Sequence, residues 1–108
     1  MIELRKEFMT KKYNMLHQQL YKDSELVIYG ISQPSVDDPS EIVKWYEVFE
    51  YRVMPPDQYH NDSYELYPKA DEYFGKWAWS CTNDASVMKV LKKHFPNHPM
   101  TKGYIDIP

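Results

Sequence analysis

The chain has 108 residues, 43% of them hydrophobic and 16% aromatic, with a formal net charge of −3 and a single cysteine. That length sets one small globular domain over residues 1–108 with a modest core, and a lone Cys81 excludes an internal disulfide framework. The charge argues against a general nucleic-acid binder, which draws its affinity from neutralising phosphates, and no apolar run is long enough to span a membrane.

The charge is uneven. Residues 1–22 carry net +3, residues 23–75 net −9 and residues 76–108 net +3. Basic ends flanking an acidic middle fit internal complementarity, or two surfaces of opposite sign for two partners. A disulfide-free small domain fits a reducing cytosol. The opening Met1-Ile2-Glu3-Leu4-Arg5-Lys6-Glu7 lacks the apolar stretch of a signal peptide. The expected location is therefore cytoplasmic.

Taken in order, residues 2–21 lack Gly and Pro and read as a helix. Ile2, Met9, Tyr13, Leu16 and Leu20 fall on one stripe at helical spacing, and Leu4, Phe8 and Met15 on a second. A helix with two apolar stripes is covered on two sides. The second stripe, Leu4, Phe8 and Met15, is the candidate interface with a protein partner or a second copy of the chain. Residues 25–31 read as a strand, with Gly30 marking a bulge or a close backbone approach. Residues 32–40, with Pro34, Pro39, Asp37 and Asp38, read as a loop.

Residues 42–53 form the most strongly patterned stretch. Val43, Trp45, Glu47, Phe49, Tyr51 and Val53 alternate with Lys44, Tyr46, Val48, Glu50 and Arg52. This is the period of a long half-buried strand, and it reads as the central one. Pro55-Pro56 ends it, since proline cannot donate to a ladder. After a polar connection (57–63) with a mobile tip, residues 64–67 read as a short strand pairing antiparallel with the central one. Residues 68–73 read as a helical turn opened by Pro68, with Gly75 as its cap. In residues 76–81, Trp77, Trp79 and Cys81 share one strand face, under a helix. That helix follows, capped by Thr82 or Asn83, with Val87, Met88, Val90, Leu91 and Phe95 on its apolar face. From about residue 96 the tail reads as extended, with an edge strand possible at 104–107.

The expected fold is α+β: a mostly antiparallel meander of three to five strands with an N-terminal and a C-terminal helix packed on it. No phosphate-binding glycine loop, nucleophile elbow or paired zinc motif is present in the sequence. Asp57, His60 and Asp62 resemble a metal cluster only in composition, so no metal and no cofactor are assigned. Glu47 is the least expected residue, a carboxylate between Trp45 and Phe49 that needs Lys76, Arg52 or a tyrosine hydroxyl as partner if buried.

Three functions follow in order. The first is a non-enzymatic protein-interaction module, with self-association as one form of it. The second is a small-ligand, nucleobase or sugar binder with an aromatic cleft of Trp45, Glu47, Phe49, Tyr51 and Trp79. The third is an enzyme using Cys81 with His60 or His94.

Overall fold

The structure, a computed structural model, describes residues 1–69 and 71–103. The strands are β1 (Glu7–Thr10), β2 (Met15–Lys22), β3 (Leu26–Pro34), β4 (Ile42–Glu50), β5 (Val53–Met54), β6 (Tyr64–Glu65) and β7 (Ala78–Cys81), followed by helix α1 (Asp84–His94). Five strands form one antiparallel sheet in the order β1-β2-β3-β4-β7, and β5 pairs with β6 in a separate ladder. The α+β class and the antiparallel sheet are as expected, with the first four strands in meander order. Among the described residues the sheet carries one α-helix, at its C-terminal end, not two.

The helix expected over residues 2–21 is instead the β1–β2 hairpin. Tyr13 and Asn14 turn the chain with φ of 65° and 50°, the left-handed region that a continuous helix never enters. The apolar residues come in neighbouring pairs, Phe8-Met9 and Met15-Leu16. A strand sends such neighbours to opposite faces, so Phe8 and Met15 go to one side of the sheet and Met9 and Leu16 to the other. Leu4, Phe8 and Met15 all pack, half-buried, into the cluster beneath one of those sides.

The middle strand is β3, not the 42–53 run. Leu26, Val27, Ile28 and Tyr29 are fully buried and Ile31 nearly so, as a strand covered on both faces requires. The 42–53 run leaves the sheet after Glu50, and its last residues form β5 against β6. The expected partner of the short strand is therefore the far end of that run.

One face of the sheet packs under α1. Asn83 caps the helix by accepting from the Ser86 N–H at 2.9 Å, while the Asn83 N–H donates back to the Ser86 hydroxyl at 3.3 Å, a reciprocal cap. Val87, Leu91 and Phe95 then cover Leu26, Ile28, Val48 and Cys81. Burial raises the Cys81 thiol pKa. Trp79 belongs to this face, but Trp77 does not: strand β7 begins only at Ala78. Trp77 sits in the opposite cluster, with the Arg52 guanidinium 4.6 Å from its ring centre.

The chain beyond residue 96 folds back instead of running extended. His98 and Met100 are buried. His98 Nε2 meets Asp23 at 2.6 Å, and the Met100 N–H donates to His98 Nδ1 at 3.0 Å. His98 therefore carries its proton on Nε2 and pins the tail to the β2–β3 turn. Burial opposes the charge on Asp23, but donors from Tyr21, the backbone of Glu25 and Leu26, and His98 outweigh it and lower its pKa. The edge strand read at 104–107 lies outside the described residues.

Among the described residues the other face carries no α-helix, only a 3-10 turn at Asp71–Tyr73, within the helical turn expected over residues 68–73. Tyr51, Leu66, Tyr67, Tyr73 and Phe74, with the N-terminal Leu4 and Phe8, pack on Val27, Tyr29, Ile31, Phe49, Trp77 and Ala78. A bulge in β2 between Gln19 and Tyr21 serves both faces, because one extra residue reverses the side-chain alternation. Leu20 lies over Gly30, where a Cβ would meet its Cδ1 at 3.2 Å. Past the bulge, Lys22 turns to the helix-free face and pairs with Glu65 at 2.8 Å. Glu65 also accepts from the Leu4 N–H at 2.8 Å and from the Tyr51 hydroxyl.

Burial would raise the Glu65 pKa, yet Lys22, Tyr51 and Leu4 outweigh it and hold the carboxyl below its ordinary value. A depressed carboxyl adds stability above the ordinary carboxylate range and loses it as the pH falls through the depressed value. Glu65→Gln is expected to cost about 3 kcal/mol in urea unfolding at neutral pH, the low end for breaking a buried pair, since Lys22 can turn toward water. The variant's loss should shrink in acid, where the wild-type carboxyl is itself protonated.

Candidate functional site

On the helix-free face, β1, β2 and β4 bring three polar side chains under one tyrosine. The register sets Phe8 beside His17, His17 beside Ile31, and Tyr29 beside Glu47. Above them Tyr67 meets Phe8, Tyr29 and Phe49 edge-on, at centroid distances of 5.3, 5.0 and 5.2 Å. Such edge contacts place the positive rim of a ring against a negative face. The Tyr67 hydroxyl is thereby aimed at Glu47 Oε2, to which it donates at 2.7 Å.

The rest of the chain of bonds follows from that donation. Having given its proton to Glu47, Tyr67 accepts from His17 Nδ1 at 3.0 Å. His17 Nε2 then accepts from the Thr10 hydroxyl at 3.0 Å, so the imidazole is neutral with its proton on Nδ1. Burial lowers the His17 pKa, in keeping with that neutral form. Burial raises the Tyr67 pKa, and the Glu47 charge raises it further. Burial also raises the Glu47 pKa, with Tyr67 and Trp45 pulling it part of the way back. Low dielectric strengthens each bond of such a satisfied network.

Next to this network, on the other side of Tyr67, a cleft of about 490 Å3 opens between the N-terminal arm and the stretch from His60 to Tyr73. Phe8, Tyr64, Tyr67 and Tyr73 supply aromatic walls, Ile2, Leu4 and Leu66 add aliphatic surface, and Glu3, Arg5, His60, Glu65 and Lys69 are its ionisable groups. Its walls are braced. Ile2 exchanges backbone bonds with Ser63 and Glu65 at 2.8 and 2.9 Å. His60 stacks on Tyr64 at 3.8 Å and bonds Asp57 at 2.9 Å, and Tyr64 donates to the same Asp57 at 2.8 Å.

Of the sequence-derived site, Trp45, Glu47, Phe49 and Tyr51 share the helix-free face. Phe49 is fully buried, and Tyr51 gives its hydroxyl to Glu65. Trp79 is on the opposite face, stacked on His94 at 4.1 Å. None of the five lines the cleft. Asp57, His60 and Asp62 do not converge: Asp62 holds the N-terminal amine at 2.8 Å, and no group of three metal-ligating side chains occurs among the described residues. Cys81 sits in the helix-side core with its thiol pKa raised, the reverse of an activated nucleophile. Comparison with protein-family models, with curated proteins and with solved structures returned no match.

Helical spacing over residues 2–21 separates His17 and Thr10 from the network face, so the sequence does not mark them. Period two would have put His17 on the face of Met15. No sequence pattern announces the approach of Tyr67, 50 residues away.

A carboxyl whose pKa is raised by folding binds its proton more tightly in the folded state. Acid therefore stabilises the fold through Glu47, and this contribution fades as the pH rises through the raised value. Glu47→Gln keeps an acceptor for Tyr67 and should be at least as stable as wild type at neutral pH, with the wild-type advantage in weak acid removed. Tyr67→Phe leaves the ring packing but strips partners from Glu47 and His17. It should cost about 1–3 kcal/mol and raise the Glu47 titration midpoint further, read by carboxyl 13C NMR.

Proposed function

We propose that the chain is a non-enzymatic binding module that takes a small, partly aromatic ligand in the cleft between its N-terminal arm and residues 60–73. The cleft carries this reading. Its volume of about 490 Å3 falls in the range of small-molecule sites, roughly 300–1,000 Å3. Its aromatic walls stand on hydrogen-bonded backbone, which lowers the ordering cost of binding. This moves the ligand-binding reading from the Trp45–Glu47 face to the neighbouring side of Tyr67. Glu47 keeps a supporting part, because it fixes the hydroxyl of a tyrosine that forms the wall.

Trp77 is a built-in reporter, 5.1 Å from Tyr73 in the cleft wall. A screen of aromatic fragments should change tryptophan emission, and Tyr64→Ala should weaken the hits roughly threefold to tenfold, the worth of one aromatic contact. A screen in which no fragment alters emission or any cleft resonance overturns the proposal.

A protein-contact role is favoured by a different observation, the exposed apolar tip of the β3–β4 hairpin. Val36 is 79% exposed, Ile42 56% and Val43 45%. This tip, rather than Leu4, Phe8 and Met15, is where such a contact would form, since those three pack into the chain's own core. Light scattering over a tenfold concentration range would show self-association through the tip as a mass increase abolished by Ile42→Lys. A constant mass in wild type removes self-association. No helix among the described residues is long and apolar enough to cross a membrane.

A further inference from the structure

Resting on the cleft reading, we infer that the ligand is an organic anion: a carboxylate or phosphate carried on a flat aromatic body. The ionisable groups of the cleft decide the sign. Glu65 is 7% exposed and already neutralised by Lys22, the Leu4 N–H and the Tyr51 hydroxyl, so it presents little negative charge to a visitor. His60 is committed to Asp57 through Nδ1. Three charged groups are left at the rim: Arg5, Lys69 and Glu3. Arg5 and Lys69 enter no ion pair among the described residues. Two cations thus stand against one acid. Asp71 and Glu72, the next acidic residues along the chain, are exposed and do not line the cleft.

The backbone of Arg5 is held in place. The Arg5 carbonyl accepts from the Tyr29 hydroxyl at 2.5 Å, which ties the arm to the buried middle strand. Lys69 follows Pro68, which is itself buried. A guanidinium fork recognises a carboxylate or phosphate with paired bonds, and an ammonium adds a point charge. The aromatic walls take the ring, and the rim takes the charge.

The test uses the whole chain and four probes sharing one ring system: naphthoate, naphthyl phosphate, naphthalenemethanol and naphthylmethylamine, titrated by amide NMR. Both anions should bind about tenfold tighter than the alcohol at low salt, lose that margin at high salt, and exceed the amine by more. Arg5→Gln and Lys69→Gln should each weaken the anions about threefold, together removing the tenfold margin, and weaken the alcohol less. Both side chains are exposed, so the variants keep the fold, verified by unchanged amide dispersion. Alcohol or amine binding as tightly as the anions overturns the anion inference while the cleft reading stands. Four probes that move no cleft resonance overturn both. A preference for phosphate or for carboxylate supports the inference and names the headgroup.

Discussion

The buried carboxylate of Glu65, in β6, ties the N-terminal arm and the chain leaving β4 to the five-stranded sheet. It takes the amide of Leu4 from the N-terminal arm, the ammonium of Lys22 from β2 and the hydroxyl of Tyr51 from the chain leaving β4. Four segments distant in sequence meet at one charge. A charge so little exposed is tolerated only when its lone pairs are filled. Each donor is therefore needed by the acid as much as the acid is needed by the donors.

The reason such a clamp is required lies in the sheet. Strand β3 is buried on both faces, so the sheet needs two covers. The described residues supply one amphipathic α-helix, and α1 covers one face with Val87, Leu91 and Phe95. The other face is covered by irregular chain and aromatic side chains. Irregular backbone cannot satisfy its own polar groups, and side-chain partners such as Glu65 and the Tyr29 hydroxyl on the Arg5 carbonyl make up the difference. The same irregular cover leaves the cleft, because an arm and a loop meet less closely than a helix and a sheet. Tyr67 joins the two features, with its ring in the cleft wall and its hydroxyl in the Glu47–His17 network.

Much of the sheet was legible. Residues 25–31 and 42–50 show the buried run and the alternation of strands, and Asn83 with the apolar spacing of α1 marks that helix with its cap. The N-terminal segment was not legible, for a specific reason. Phe8-Met9 and Met15-Leu16 satisfy a helix with two stripes and a strand with two buried faces equally well. Only the left-handed Tyr13 and Asn14 decide between them, and neither residue type demands that conformation. Trp77 was misplaced by one feature, the start of β7 at Ala78, which cut it out of the alternation that Trp79 and Cys81 obey. The bulge at Leu20 was signalled only indirectly, by Gly30 on the neighbouring strand.

The sequence alone determined the mostly antiparallel sheet, the capped C-terminal helix and the need for Glu47 to find a polar partner. These are local properties, carried by spacing and by the free energy of single side chains. Tertiary structure decided which strand is central, which face each aromatic joins, that Tyr67 is the partner of Glu47, that His98 pins the tail to Asp23, and that Arg5 and Lys69 stand on one rim. Those facts depend on residues tens of positions apart meeting in space. Their pairing is set by register, by a one-residue bulge and by the filling of buried hydrogen bonds, none of which a periodicity in the sequence records.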